Sequence, residues 1–472
     1  YSVNMDISKV KENVLKEINP NNEEKEEIET VCEELEKTAN EDTTGLNIDI
    51  EFCGSIAKHT WLSGEKDIDM FLLFKKNVSR ENLEEYGLRI GKRLADTLGI
   101  EYEVAYAEHP YVKMNYKGHD IDVVPAYGIK DPGNIKSSVD RTPHHVKYVM
   151  ENLDPGFRKD VRLLKKFCKG IGVYGSNLKT RGFSGYLCEL LTIEYGKFED
   201  ILEASKDWMP GYVVDLENYY DDHSELRQKF ESEAMIFVDP VDKGRNVASV
   251  LSAENLLRFK REALEFLDSP SDTFFFETED IYSLDELKDK IIKRNGDVIL
   301  VSFGAPDVHE DILWPQMRKA KRRLRNVLEK NEFPILNTGE WSNGEECILI
   351  FELETTTLPN VEKCKGPTIF DWDNSINFLN RYKEDRILIQ DNEWVVEKDR
   401  EYTVALELLK DFLKREGNEL KESGVPKYVA EEIGQKVSIY SGQDIYDVFE
   451  KYSDLRVSIK RLFNEDLVSR ME

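Results

Sequence analysis

Two short apolar stretches carry acids at alternate positions, and this pattern constrains the fold more than any other feature of the chain. The first is Asp67-Ile68-Asp69-Met70-Phe71-Leu72. In a strand, residues two apart point to the same face, so Asp67 and Asp69 project together and Ile68 and Met70 oppose them. Two neighbouring carboxylates repel unless a cation sits between them, and such a pair on an apolar strand is costly without a purpose. A divalent metal with oxygen ligands supplies one, and Mg²⁺ suits phosphate chemistry. The second stretch is His119-Asp120-Ile121-Asp122-Val123-Val124-Pro125. Asp122 beside Asp67 and Asp69 completes a cluster for two metals ~3.5–4 Å apart, which clamp the attacking and leaving oxygens of an in-line displacement. Asp120 shares the face of Asp122, and alternation alone does not choose between them.

Upstream lies Phe52-Cys53-Gly54-Ser55, with eleven residues between Ser55 and Asp67. A glycine lets backbone approach phosphate. The Ser55 hydroxyl and the N–H groups of a following helix start would hold β- and γ-phosphates, with Lys58 one turn on to neutralise them. Alone, a D-x-D or a G-S is usually a solvated strand face or a turn. A G-S turn, a D-h-D-h strand and a separate h-D-h-h strand in this order together resemble nucleotidyltransferases of the DNA polymerase β type.

The rest of the chain supports a multidomain α+β protein: an N-terminal α/β domain (1–150), a helical central domain (151–275), a C-terminal α+β region (276–390) and a mostly helical end (391–472). Helical spacing of Val10, Val14, Ile28, Val31 and Leu35 predicts helix over 6–40. Helical patterns recur over 160–198 and 255–267, and Ser269-Pro270-Ser271 ends the latter. Asp297–Phe303 and Glu346–Leu353 read as strands around a long basic helix over 311–330. The net charge of −28 argues against a generic nucleic-acid binder, because phosphate contacts need Lys and Arg; local basic stripes remain compatible with RNA. The six cysteines form no C-x-x-C pair, so buried free thiols are expected, without a zinc site or a disulfide framework. No apolar run nears the ~18 residues of a membrane span. Tyr1–Lys16 is charged and lacks a signal-peptide pattern, so a cytoplasmic protein is expected.

Further motifs narrow the match. They are Gly54–Leu62 (GSIAKHTWL), Ala107–Val112 (AEHPYV), Ile135–Pro143 (IKSSVDRTP), Val161–Lys165 (VRLLK), Arg181–Leu191 (RGFSGYLCELL), Val238–Asp242 (VDPVD) and Arg245–Ala248 (RNVA). In this order and spacing the chain resembles the archaeal, class I CCA-adding tRNA nucleotidyltransferases, strongly over 50–270 and more weakly beyond, where Leu313-Trp314-Pro315-Gln316 resembles the family's C-terminal domain. The resemblance implies metal carboxylates at Asp67, Asp69 and Asp122. It implies nucleotide binding by Ser55, Lys58, His145, Lys165, Tyr174 and Arg245, with Glu108 near the RNA 3′ end. It implies Mg²⁺ as cofactor, CTP and ATP as substrates and tRNA as partner. A homodimer stays open. Two positions depart from the family's usual residues: Asp67 stands for glutamate and Lys58 for arginine. A shorter carboxylate still ligates Mg²⁺, and lysine still binds phosphate as a point charge.

Read without the resemblance, Lys165 passes for a solvated lysine, His144-His145 equally for a surface pair or a metal site, though with no third ligand near in sequence to favour zinc, and Tyr174 for core. Gly170-Ile171-Gly172-Val173-Tyr174-Gly175 matches G-x-G-x-x-G, but it follows a helical pattern where the dinucleotide motif needs a strand. It reads instead as the turn presenting Tyr174. Arg318, Lys319, Lys321, Arg322, Arg323 and Arg325 crowd into eight positions. One face of that helix, with Arg318, Arg322 and Arg325, is expected to meet tRNA phosphates; a solvated face balancing Glu329 and Glu332 is the plainer alternative. Trp314 and Trp341 fit a core. The competing functions are a poly(A)-polymerase-like or oligoadenylate-forming enzyme and a catalytically dead RNA-binding homologue.

Overall fold

The computed structural model describes residues 6–43, 47–130, 135, 137–276 and 281–463. The first five residues of the N-terminal segment and Lys136 of the Ile135–Pro143 motif lie outside them. The chain divides into two compact units, 1–278 and 279–472.

The first unit opens with α1 (Ile7–Ile18) and α2 (Asn22–Thr43). The helical stretch expected over 6–40 is realised as these two helices. Asn19-Pro20-Asn21 separates them, because a proline lacks the N–H and disfavours helix at the residue before it. Val10, Val14 and Ile18 of α1 pack with Phe167, Leu187 and Phe259, whereas Ile28, Val31 and Leu35 of α2 pack with Met70, Leu72 and Val112. Then follow β1 (Asp49–Cys53), α3 (Gly54–Ala57), β2 (Asp67–Phe74), α4 (Arg80–Leu98), β3 (Tyr102–Tyr106), β4 (Pro110–Tyr116) and β5 (His119–Tyr127). They make a five-stranded sheet of order β1-β2-β5-β4-β3. Only β2 and β5 are parallel; the other pairs are antiparallel. Ser79 caps α4 through the Asn82 amide, and left-handed Gly99 ends it.

A mostly helical stretch completes this unit: α5 (Thr142–Asn152), α6 (Arg158–Gly170), α7 (Gly185–Tyr195), α8 (Phe198–Ala204), β6 (Val213–Val214), α9 (Ser224–Lys229), β7 (Ile236–Asp239), β8 (Asp242–Asn246) and α10 (Ala253–Asp268). Phe167 anchors its core, edge-on to Phe198, Phe259 and Phe266 at 5.5–5.8 Å. The G-x-G-x-x-G stretch leaves a helix, α6, as expected. Gly172 turns at φ +73° and Tyr174 bridges to Phe183.

The second unit contains α11 (Leu284–Arg294), β9 (Asp297–Gly304), α12 (Glu310–Lys330), β10 (Ile335–Ser342), β11 (Glu346–Leu353), β12 (Val361–Thr368), α13 (Trp372–Arg381), β13 (Arg386–Gln390), β14 (Glu393–Asp399), α14 (Ala405–Leu413), α15 (Gly417–Glu422), α16 (Lys427–Gln435), β15 (Val437–Ser441), α17 (Asp444–Lys451) and α18 (Leu455–Leu462). Its main sheet runs β10-β11-β9-β15, and β12-β14-β13 form a second. β15 lies in the end expected to be mostly helical, yet it adds to β9 as an edge strand. Trp314 and Trp341 are both buried core residues. The cysteines are free thiols; Cys53, Cys168, Cys188 and Cys347 are buried, whereas Cys32 and Cys364 are only half-buried. No described helix is long and apolar enough to cross a membrane.

Candidate active site

β2 and β5 build the acidic face. Their parallel register sets Asp67 opposite Asp120 and Asp69 opposite Asp122. Paired residues on adjacent strands share a face, so the four acids stand together while Ile68, Met70, Ile121 and Val123 are buried on the other side. The register separates the two acids that alternation left equivalent. Asp122 neighbours Asp69, whereas Asp120 stands beside Asp67 and accepts a bond from Asn115 Nδ2 at 2.9 Å. These acids, with Lys113 and Tyr102, line a cavity of about 520 Å³.

Their charges act on one another. Burial and then the Asp67 charge raise the Asp69 carboxyl, against the pull of Lys58. Burial foremost, with Asp69, Asp67 and Asp120 adding and Lys113 opposing, pushes Asp122 up to about 6. Asp67 is raised by burial, Glu65 and Asp120. Among the described residues, no three His, Cys, Asp or Glu side chains converge closely enough to hold a metal ion as they stand. The donor set still fits one: Asp67, Asp69 and Asp122 offer only hard carboxylate oxygens, on one face, and burial together with neighbouring acids disfavours the charge on each. A divalent cation relieves that repulsion, and oxygen donors suit Mg²⁺.

Beside this face the G-S turn is forced by sterics. Gly54 has φ +71°, and a β-carbon there would stand 2.0 Å from Asp69 Oδ2. The turn leads through α3 to Lys58, whose side chain points inward. Its Nζ lies 2.5 Å from Glu189 Oε2 on α7 and 5.6 Å from the centre of the Tyr186 ring. Ser55 contributes its carbonyl to the Thr60 amide at 3.0 Å. Glu189 is fully buried. It also accepts from Thr60 Oγ1 at 2.5 Å and from Lys165 Nζ at 3.3 Å. Lys165 is no solvated lysine: it is 1% exposed. It donates as well to the Thr60 carbonyl at 3.1 Å and the Thr60 hydroxyl at 3.2 Å. A β-carbon on Gly185 would stand 3.0 Å from the Tyr174 hydroxyl and 3.6 Å from Lys165 Nζ. Tyr174 and Lys165 thus converge over that glycine, which leaves room for both.

Tyr186 joins this lysine pair to a second group. His145 stacks on its ring at 3.9 Å, and His145 Nε2 lies 3.1 Å from Asp239 Oδ2. Arg245 donates to the same oxygen at 2.7 Å, while the Val241 amide and Tyr186 hydroxyl donate to Oδ1 at 3.1 and 3.4 Å. Burial alone would raise the Asp239 carboxyl; the bonds from His145, Val241 and Arg245 outweigh it and hold it below the usual range. Burial pulls His145 below its ordinary value, with Arg245 and Lys58 adding and Asp239 opposing.

Most residues expected in the site on the first unit are therefore close together: Asp67, Asp69 and Asp122 on the sheet, and Lys58, Lys165, Tyr174, His145 and Arg245 around Glu189 and Asp239. Glu108 lies apart, in the turn before β4. Its carboxylate accepts from the Ser138 amide at 2.8 Å and from the Ser138 hydroxyl. It borders a larger cavity of about 1080 Å³, with Arg141, Lys147, Tyr148 and Tyr219. Sequence reasoning assigned no role to Glu189, Tyr186 or Asp239. The available signal was the lone acid in the apolar run Leu187–Leu191.

In the second unit, α12 does not present all its cations. Arg318 and Lys321 pair with Glu340, the former at 3.8 Å, and Arg323 donates to the Ser423 carbonyl. Arg325 pairs with Glu329 at 2.8 Å. Lys319, Arg322 and Arg325 form the exposed face.

Comparison with known proteins places this geometry. Family models match the chain in three stretches: "Nucleotidyltransferase domain" over 26–145, "tRNA nucleotidyltransferase, second domain" over 159–276 and "CCA-adding enzyme, C-terminal domain" over 294–442. The CCA-adding enzyme of Archaeoglobus fulgidus is 37% identical over 443 residues, 94% of this chain and 96% of its own length. That of Methanocaldococcus jannaschii is 35% identical, over 92% of this chain and 96% of its own. The chain belongs to the archaeal CCA-adding enzyme family. In this CCA-adding family member the G-S turn and the acids of β2 and β5 fall in the nucleotidyltransferase match. Lys165, Tyr174, Glu189 and Arg245 fall in the second-domain match, and α12 in the C-terminal match.

Proposed function

We propose that this protein adds C, C and A to the 3′ end of tRNA, taking CTP and ATP as substrates and using no nucleic-acid template. The observation that carries the reading is the pairing of Asp69 with Asp122 beside the Gly54 turn. The tRNA 3′-hydroxyl attacks the α-phosphorus, an O–P bond forms, the bond to the bridging oxygen breaks, and pyrophosphate leaves. Asp67, Asp69 and Asp122 would hold Mg²⁺, and one carboxylate of this cluster accepts the single proton that the hydroxyl gives up. Mg²⁺, when bound, supplies Lewis-acid neutralisation of charge on the phosphate and hydroxyl oxygens. Ser55 and Lys58 hold the β- and γ-phosphates, and Lys165 adds its positive charge from beneath. The Tyr174 hydroxyl, next to Lys165, orients the nucleotide. Arg245, aimed by Asp239, meets the incoming base or the RNA end, with His145 and Tyr186 as its stacked support.

We assign catalysis to residues 1–150 and the remaining nucleotide contacts to 151–275. The tRNA body falls to 276–390 and to the mostly helical 391–472, through the exposed side of α12 at Arg322 and Arg325 with Arg318 behind it. Glu108, on the larger cavity, faces the RNA 3′ end. A cytoplasmic setting, where tRNA and both nucleotides are present, goes with this role. The match to relatives named CCA-adding enzymes, over 92–94% of this chain and 96% of theirs, favours CCA addition over a poly(A)-forming or inactive homologue. The test is incubation with tRNA lacking its terminal CCA, labelled CTP and ATP, and Mg²⁺. A product three nucleotides longer is expected. A long A tail would make it a poly(A)-type enzyme, and no Mg²⁺-dependent incorporation would make it the inactive homologue.

A further inference from the structure

We infer that Glu189 is a positioning residue for the nucleotide triphosphate, keeping Lys165 charged and Lys58 aimed. The inference rests on the reading of this site as nucleotide-binding. Glu189 is the carboxylate that the two lysines share. One oxygen takes Lys58 Nζ at 2.5 Å; the other takes Lys165 Nζ at 3.3 Å and the Thr60 hydroxyl at 2.5 Å. Lys165 is fully enclosed, and its three N–H groups go to Glu189, the Thr60 carbonyl and the Thr60 hydroxyl.

A buried ammonium with only neutral acceptors loses its proton readily, because burial disfavours the charged form. The charged and titratable groups around Lys165 are few. Glu189 and Cys188 come from α7, Lys58 from the end of α3, Glu65 from the stretch before β2, and the Tyr174 hydroxyl from the turn after α6. Burial and Lys58 push the Lys165 ammonium towards its neutral form, and the Glu189 charge is the largest opposing influence. Without that charge a neutral Lys165 adds nothing to phosphate binding, and Lys58 loses the partner that turns it inward.

The experiment is equilibrium binding of ATP to the full chain with Mg²⁺ and without tRNA, at pH 7, 8 and 9, where ATP keeps one charge state. Wild type should hold its Kd within about twofold across this range. Glu189→Gln keeps the shape and a hydrogen-bonding oxygen but not the charge. Its Kd should rise as pH climbs from 7 to 9, by up to tenfold per unit where one proton is lost from the site. Glu189→Asp keeps the charge and should restore the flat profile. A merely structural role would give a constant offset, or a lower melting temperature, with no change of slope. A Glu189→Gln profile as flat as that of wild type overturns the inference. If wild type binds neither ATP nor CTP, the nucleotide-site reading itself has failed, a different outcome from a flat variant.

Discussion

The Asp69 carboxylate occupies the space that a side chain on residue 54 would need: its Oδ2 lies 2.0 Å from the ideal β-carbon position of Gly54. The left-handed φ of +71° adds a second constraint on the same residue. Any side chain there must displace either the turn or the carboxylate. Gly54→Ala should therefore reduce single-turnover nucleotide addition roughly 100-fold, the scale of a ~1 Å misplacement in an active site. Backbone strain at this position costs only about 1–2 kcal/mol. A folded variant by circular dichroism with near-normal turnover would contradict the assignment of Asp69.

The basic helix gives a graded prediction. Arg322 is exposed and makes no ion pair among the described residues, whereas Arg318 is half-buried and held near Glu340. Removing one cation that neutralises a phosphate should lower the slope of log K against log salt by about 1. Arg322→Ala should show that change in tRNA binding. Arg318→Ala should weaken tRNA binding less and lower the melting temperature more. Equal salt slopes for wild type and Arg322→Ala would return α12 to a solvated face.

The acid pattern was legible in the sequence because its period of two is a property of the strand itself. The pairing of Asp122 with Asp69, and of Asp120 with Asp67, was not, since register depends on a partner strand about fifty residues away. The inward turn of Lys165 was hidden for a similar reason: its counter-charge, Glu189, sits on another helix. Pro20 divides an otherwise continuous helical pattern. β12 (VEKCKGPT) was not legible as a strand, because it carries Glu362, Lys363 and Lys365 and few apolar residues, so neither face announces one.

His145 and Asp239 make stability depend on pH. Burial lowers the folded-state pKa of His145 below its ordinary 6.5. The unfolded chain therefore binds more protons between the two values, and stability falls as pH drops through 6.5. Asp239, held below 3.8, contributes stability that is present above 3.8 and is lost only as pH falls further, through its lowered value. Melting temperature measured from pH 7.5 to 5 should decline less steeply in His145→Gln than in wild type. Identical slopes would place the titrating group elsewhere.

One acidic cluster serves every nucleotide that the proposed reaction adds. The described residues hold one G-S turn beside one D-x-D strand paired to Asp122, and these groups act on the triphosphate and hydroxyl that CTP and ATP share. The decisive measurement is single-turnover addition by Asp69→Asn to three tRNA substrates, ending before the first C, before the second C and before the A. All three rates should fall by a similar factor, roughly 100-fold or more, since the same charge stabilisation is lost each time. Loss of C addition with A addition kept near the wild-type rate would contradict a single site.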